Sequence, residues 1–105
     1  MLRPAADNLL DRAAPAEDRT AVVQAVLADP RIGGVHQLRT RRSGPFLIVQ
    51  MHVDLDPALT LEQAHAIVVE AEGRIAERFA GADILIHADP RGRSVETTAS
   101  AGPWS

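Results

Sequence analysis

The chain has 105 residues, enough for one domain with a modest core. Its 46% apolar and 24% charged composition is that of a folded domain, and a formal net charge of −3 counts against a general nucleic-acid binder, which must neutralise phosphates. The absence of cysteine excludes disulfides, thiolate zinc sites and cysteine nucleophiles, and no stretch approaches the roughly 20 apolar residues of a membrane helix.

Residues 1–15 carry two prolines and little periodicity, and are expected to be a lead-in segment without the charged-then-apolar pattern of a signal peptide. A cytoplasmic location is therefore expected. From Ala16, apolar residues at 22, 23, 26 and 27 have helical spacing, Glu17 and Asp18 suit a helix start and Pro30 stops it, so a helix is predicted over 16–28. A strand of about 35–42 follows, then a turn at Ser43-Gly44-Pro45 and a strongly alternating segment from Phe46 to Leu55. Leu47, Val49, Met51, Val53 and Leu55 point one way; Phe46, Ile48, Gln50, His52 and Asp54 point the other. The two strands should form a hairpin.

The segment "TLEQAHAIVVEAEGRIAERF" reads as a second helix, with Thr60 as N-cap, Gln63 at the capping-box position and a buried stripe of Leu61, Ala64, Val68, Ala71, Ile75 and Phe79. After Gly81 comes a strand over 82–88, and residues 91–105 are small and polar enough to be a disordered tail. The order is α-β-β-α-β, and the crossover through the second helix sets the last strand parallel to a hairpin strand. That is a ferredoxin-like α+β two-layer sandwich over 16–90, lacking one strand, with both helices on one face. Phe46, Ile48 and His52 fall on the uncovered face, which wants a partner. A homodimer is expected.

Four histidines, at 36, 52, 65 and 87, fall in four different elements. Taken singly each has an ordinary structural reading; His65, for instance, borders the apolar stripe of its helix. Together with acids they are the usual non-thiolate ligands for zinc and related ions. His87 and Asp89 lie at i and i+2 on one strand face, and His52 and Asp54 repeat the spacing. This H-x-D pattern alone supports a candidate metal site and no more. Other chemistries fare worse. "RRSGP" is no nucleophile elbow, "RIGGVH" no phosphate loop, and "RTRRSG" lacks the interleaved aromatics of an RNA-binding sheet.

Three stretches, "GVHQLRTRRSGP", "MHVDLDPALTLEQAH" and "ADILIHADP", together with "LLDRAAP" near the start, closely resemble the cytoplasmic C-terminal domain of cation diffusion facilitator transporters, in particular the bacterial zinc/ferrous-iron efflux branch. The resemblance runs over about residues 9–90. It implies the α-β-β-α-β fold, dimerisation, and divalent metal, zinc foremost and up to two ions per subunit, bound by His36, His52, His65, His87 and Asp89. Two positions depart from the family pattern. Gln37 stands where an aspartate usually follows the first histidine, which puts a carboxylate orienting His36 in doubt, and Ala88 replaces a longer residue. The membrane helices of those transporters are missing from this sequence. The resemblance thus implies a non-enzymatic metal-binding module, either excised or free-standing, that senses, buffers or gates and partners itself and a transporter domain in cis or in trans. A dimerisation module with a degenerate metal site, or an RNA- or small-ligand-binding ferredoxin-like domain, are the alternatives.

Overall fold

Alternation in Phe46–Leu55 sets the layer on which everything else is built. In the computed structural model, which describes residues 12–92, that segment is a ten-residue strand whose odd-numbered side chains from Leu47 to Leu55 are buried. The elements are β1 (Arg12–Ala13), α1 (Ala16–Leu27), β2 (Gly34–Ser43), β3 (Phe46–Leu55), α2 (Leu61–Arg78) and β4 (Asp83–Pro90). Strands lie in the order β1-β2-β3-β4; the first two pairings are antiparallel and β3–β4 is parallel. The expected ferredoxin-like α+β sandwich is present, with β1 as a two-residue addition taken from the lead-in segment. The rest of that segment, 1–11, and the tail from 93 onward lie outside the described residues.

Each helix starts as its sequence dictates. Pro15 precedes α1, with Glu17 and Asp18 in the first turn, and Val22, Ala25 and Val26 are buried. At α2 the capping box forms: Gln63 N donates to Thr60 Oγ1 at 3.1 Å and Thr60 N to Gln63 Oε1 at 2.9 Å. Ile67, Val68, Ala71 and Ile75 pack against the buried β3 residues and Ile86 of β4. Leu61 is a correction to the predicted stripe, being 87% exposed. The first turn of α2 overhangs the ends of β3 and β4, where Leu61 borders an open depression of about 340 Å³ instead of core. Ile67, which the sequence reading left out of the stripe, is the residue that begins real burial. β4 also runs further than expected, to Pro90, which pairs with Leu55 on an edge strand where a missing N–H is tolerated.

The helices are tied together by charge. Arg74 of α2 donates to two carbonyls in the last turn of α1, Ala25 O at 2.6 Å and Val26 O at 3.2 Å. Asp29, 7% exposed, accepts from the backbone N–H of Arg31 at 2.9 Å and from its guanidinium, which also donates to Glu70 Oε1 at 2.7 Å. The Arg31 guanidinium beside it lowers the Asp29 carboxyl from 3.8 to about 2, and the Arg31 pKa is raised in return.

A second local feature fixes the sheet. β2 and β3 pair one to one from Gly34↔Asp54 to His36↔His52, then resume at Arg39↔Gln50. Gln37 and Leu38 thus oppose Met51 alone, in a β-bulge whose first residue, Gln37, has φ 51°. Strict alternation would send 36, 38 and 40 to one face. Instead Thr40 is buried toward the helices, while His36 is exposed with Arg39, Arg41 and Ser43 on the other side. At the far end Gly44 takes φ 60° in the two-residue hairpin turn.

Two outcomes are expected. Because the folded carboxyl of Asp29 titrates below its unfolded value, its contribution is complete above pH 4 and disappears as pH falls toward 2. Asp29→Asn should therefore cost about 1–2 kcal/mol at pH 7, after allowing for the half-exposed guanidinium, and flatten the acid limb of an unfolding series. An unchanged acid limb would contradict it. At the bulge, a left-handed non-glycine residue is strained. Gln37→Gly should leave denaturant stability unchanged or raise it by up to about 1 kcal/mol, and Gln37→Val should lower it by about 1–2 kcal/mol. Equal stability of the two variants would show that the bulge carries no strain.

Candidate metal centre

The open face of the sheet presents two rows of side chains. Register aligns His36, His52 and His87 across β2, β3 and β4, and aligns Gly34, Asp54 and Asp89 one step further along. The outward positions follow from burial of their neighbours: Met51, Val53 and Ile86 face the core, so His52, Asp54 and His87 cannot. His36 joins the row through the bulge. The rings of His52 and His87 stack with centroids 4.8 Å apart and planes inclined by 19°.

Each row serves the other. His36 Nε2 lies 2.5 Å from Asp54 Oδ2, and His52 Nδ1 lies 3.1 Å from Asp89 Oδ2. An ionised carboxylate only accepts, so the ring nitrogen is the donor in each pair. Gly34 makes the first pair fit: a Cβ there would stand 3.2 Å from Asp54 Oδ2 and 3.7 Å from His36 Nε2. Beside the stacked rings is a polar cavity of about 140 Å³ lined by Gln37, Arg39, Gln50, Met51, His52 and His87. The apolar depression under Leu61 reaches Asp89 from the end of the sheet.

Four of the five sequence-derived ligand candidates, His36, His52, His87 and Asp89, therefore share one face. His65 stands apart, exposed on α2, whose packing face is the core side of the sheet. Asp54 was visible in the sequence as the acid of a second H-x-D pair, but its contact with His36 depends on a register that only the bulge sets. Imidazole and carboxylate are the donor types that zinc and similar ions take. Among the described residues no three such groups are gathered tightly enough to hold an ion as they stand. The donor set fits a divalent ion in chemistry, and an ion would have to draw those pairs inward.

The arginine cluster divides. Arg42 pairs with Asp18 at 2.9 Å and lies over the Phe79 ring, 5.9 Å from its centroid, so it is structural. Arg39 and Arg41 are exposed on the open face.

Residues 14–91 match the family model for the cytoplasmic domain of cation efflux proteins. The chain is 43% identical over 100 residues to the cation-efflux pump FieF of Serratia proteamaculans, covering 95% of this chain and 33% of that protein. It is 48% identical over 86 residues to FieF of Pectobacterium carotovorum, covering 82% and 29% respectively. The chain thus spans about a third of the length of these curated relatives. A nickel form of a MamM C-terminal domain variant superimposes with TM-score 0.68 at 26% identity, over 73% of this chain and 99% of that one. A cadmium form of another variant gives 0.67 at 26%, over 72% and 96%. No helix among the described residues is long and apolar enough to cross a membrane. With the fold, the aligned motifs and these matches in agreement, the chain belongs to the family of cytoplasmic domains of cation efflux proteins.

Proposed function

We propose that this domain binds divalent metal on the open face of its sheet as a homodimer, and that occupancy of the site biases the arrangement of the two copies and so regulates cation efflux. The observation that carries the reading is the row of three histidines flanked by Asp89 and Asp54 on one accessible face. In this reading zinc, or an ion of similar preference, takes His36, His52, His87 and Asp89, and His65 enters from a second copy of the chain. Nickel and cadmium forms of the structurally similar MamM domain support divalent metal in general. The transporter that such a domain serves would be joined in cis or met in trans. A ligand that binds two arrangements unequally shifts the balance between them, which is all that gating requires.

Dimerisation is supported by the same face. Phe46 is 51% exposed and Leu85 47%, and Ile48 lies between their positions in the sheet. No catalytic role is proposed: cation efflux proteins are transporters, and the paired carboxylates here are bound to histidines. Nucleic acid is not a partner in this reading, given the net charge of −3 and, among the described residues, Phe46 as the one Phe, Tyr or Trp on the open face. A second reading, a dimerisation module with a degenerate site, is favoured by one fact: the donors do not converge as they stand.

Calorimetric zinc titration separates the two readings. Four imidazoles with one lone pair each, and a carboxylate able to touch two ions, supply about six of the roughly eight bonds that two tetrahedral ions want. Up to two ions per subunit are expected, with Asp89 shared. Asp89→Ala should weaken both and His36→Ala mainly one. A single ion per subunit, or an Asp89→Ala variant that still binds two tightly, would remove the bridging role, and no binding would favour the degenerate module. Sedimentation of metal-free protein at micromolar concentration should show a dimer; a monomer would overturn the covered-face argument.

A further inference from the structure

The pairings on the open face are unequal. His36 and Asp54 approach to 2.5 Å, a short charge-assisted contact, while His52 and Asp89 stand at 3.1 Å. An ion that takes the hydrogen-bonded oxygen, Oδ2, of either carboxylate must first displace the histidine from it. The looser pair at the end of edge strand β4 gives way more readily than the tighter one on central strand β3. Asp54 is on an interior strand and Asp89 on the edge strand, and both side chains are mostly covered. Asp54 shares its row with Gly34, whose missing side chain leaves the space in which Asp54 and His36 meet.

We infer that Asp54 is a positioning residue of the metal centre: it accepts a hydrogen bond from His36 Nε2 and presents the other ring nitrogen, Nδ1, to the ion. This rests on the metal-binding reading above. The chemistry is that of a carboxylate–histidine–metal relay, in which the acceptor fixes tautomer and ring orientation and raises the basicity of the ligating nitrogen. Gln37 occupies the left-handed position of the bulge and lines the cavity beside His52 and His87, whereas the carboxylate that meets His36 comes from the facing strand. In metal-free protein Asp54 holds the ring ready; in loaded protein it stays behind the ring and does not become a ligand.

The test combines a spectroscopic and a binding readout on Asp54→Ala, Asp54→Asn and Asp54→Glu. Long-range proton–nitrogen correlation of the imidazoles should show His36 of the metal-free wild type with its proton on Nε2, and Asp54→Ala should lose that preference. Zinc affinity at the ion held by His36 should fall about 10–100-fold in Asp54→Ala with the number of ions unchanged. Asp54→Glu should recover part of the loss. Asp54→Asn, whose amide oxygen also accepts, should keep the tautomer and lose less affinity than Asp54→Ala. An unchanged tautomer in Asp54→Ala, or the loss of a whole ion from the stoichiometry, would overturn the positioning role. If the wild type binds no zinc, the metal-binding reading fails by itself; the tautomer of His36 then still decides whether Asp54 holds the ring. Should Asp54→Ala fail to fold, the Asn and Glu variants carry the same comparison.

Discussion

One extra residue in β2 decides which histidines can meet. The sheet is built on period-two alternation, and a one-residue change of register exchanges the two faces of a strand. β2 must send Thr40 to the core at one end and His36 to the open face at the other, which strict alternation forbids. The bulge at Gln37 and Leu38 resolves the conflict by taking up one residue against Met51. Its cost is a left-handed backbone at a side chain with no special liking for it. Among the described residues Gln37 is the one non-glycine residue with positive φ, and it adjoins His36.

Around that point the site is ordered by hydrogen bonds that cross strands. His36 meets an acid of β3, His52 an acid of β4, and the His52 and His87 rings stack over the parallel pair. The His36–Asp54 and His52–Asp89 contacts and the ring stack each join neighbouring strands. The sheet is held in turn by α2, whose Ile67, Ala71 and Ile75 are fully buried against it. Burying an aliphatic side chain of this size contributes about 1.5–3 kcal/mol, several times an exposed ion pair. The polar face therefore depends on the apolar one.

The architecture was legible because its signals are local. Alternation in Phe46–Leu55, the Ser-Gly-Pro turn and the Thr60/Gln63 capping box each specify their element without reference to the rest of the chain. Leu61 misled because helical spacing says which face a residue is on, not whether anything lies beneath it; the sheet ends before that turn does. The histidine row was legible only in part. His52 and His87 follow from alternation, but the place of His36 depends on a bulge that no glycine or asparagine announces, and the contact of Asp54 with His36 inherits that dependence. The tie between Arg74 and the end of α1 was equally invisible, since it joins residues 48 and 49 apart in the chain.

The parallel pairing of β4 with β3 has a consequence for the order in which the molecule assembles. β2 and β3 close over the two-residue turn at Gly44 and Pro45, so His36, His52 and Asp54 come together through short-range contacts. β4 can pair only after the chain has traversed α2, a far longer closure that carries more entropy and forms more slowly. His87 and Asp89 thus arrive as the late half of the site. Strand β4 sits at an edge, paired on one side only along its eight residues and anchored by buried Ile86. Anything that grips both halves of the site at once acts as a latch on that last strand.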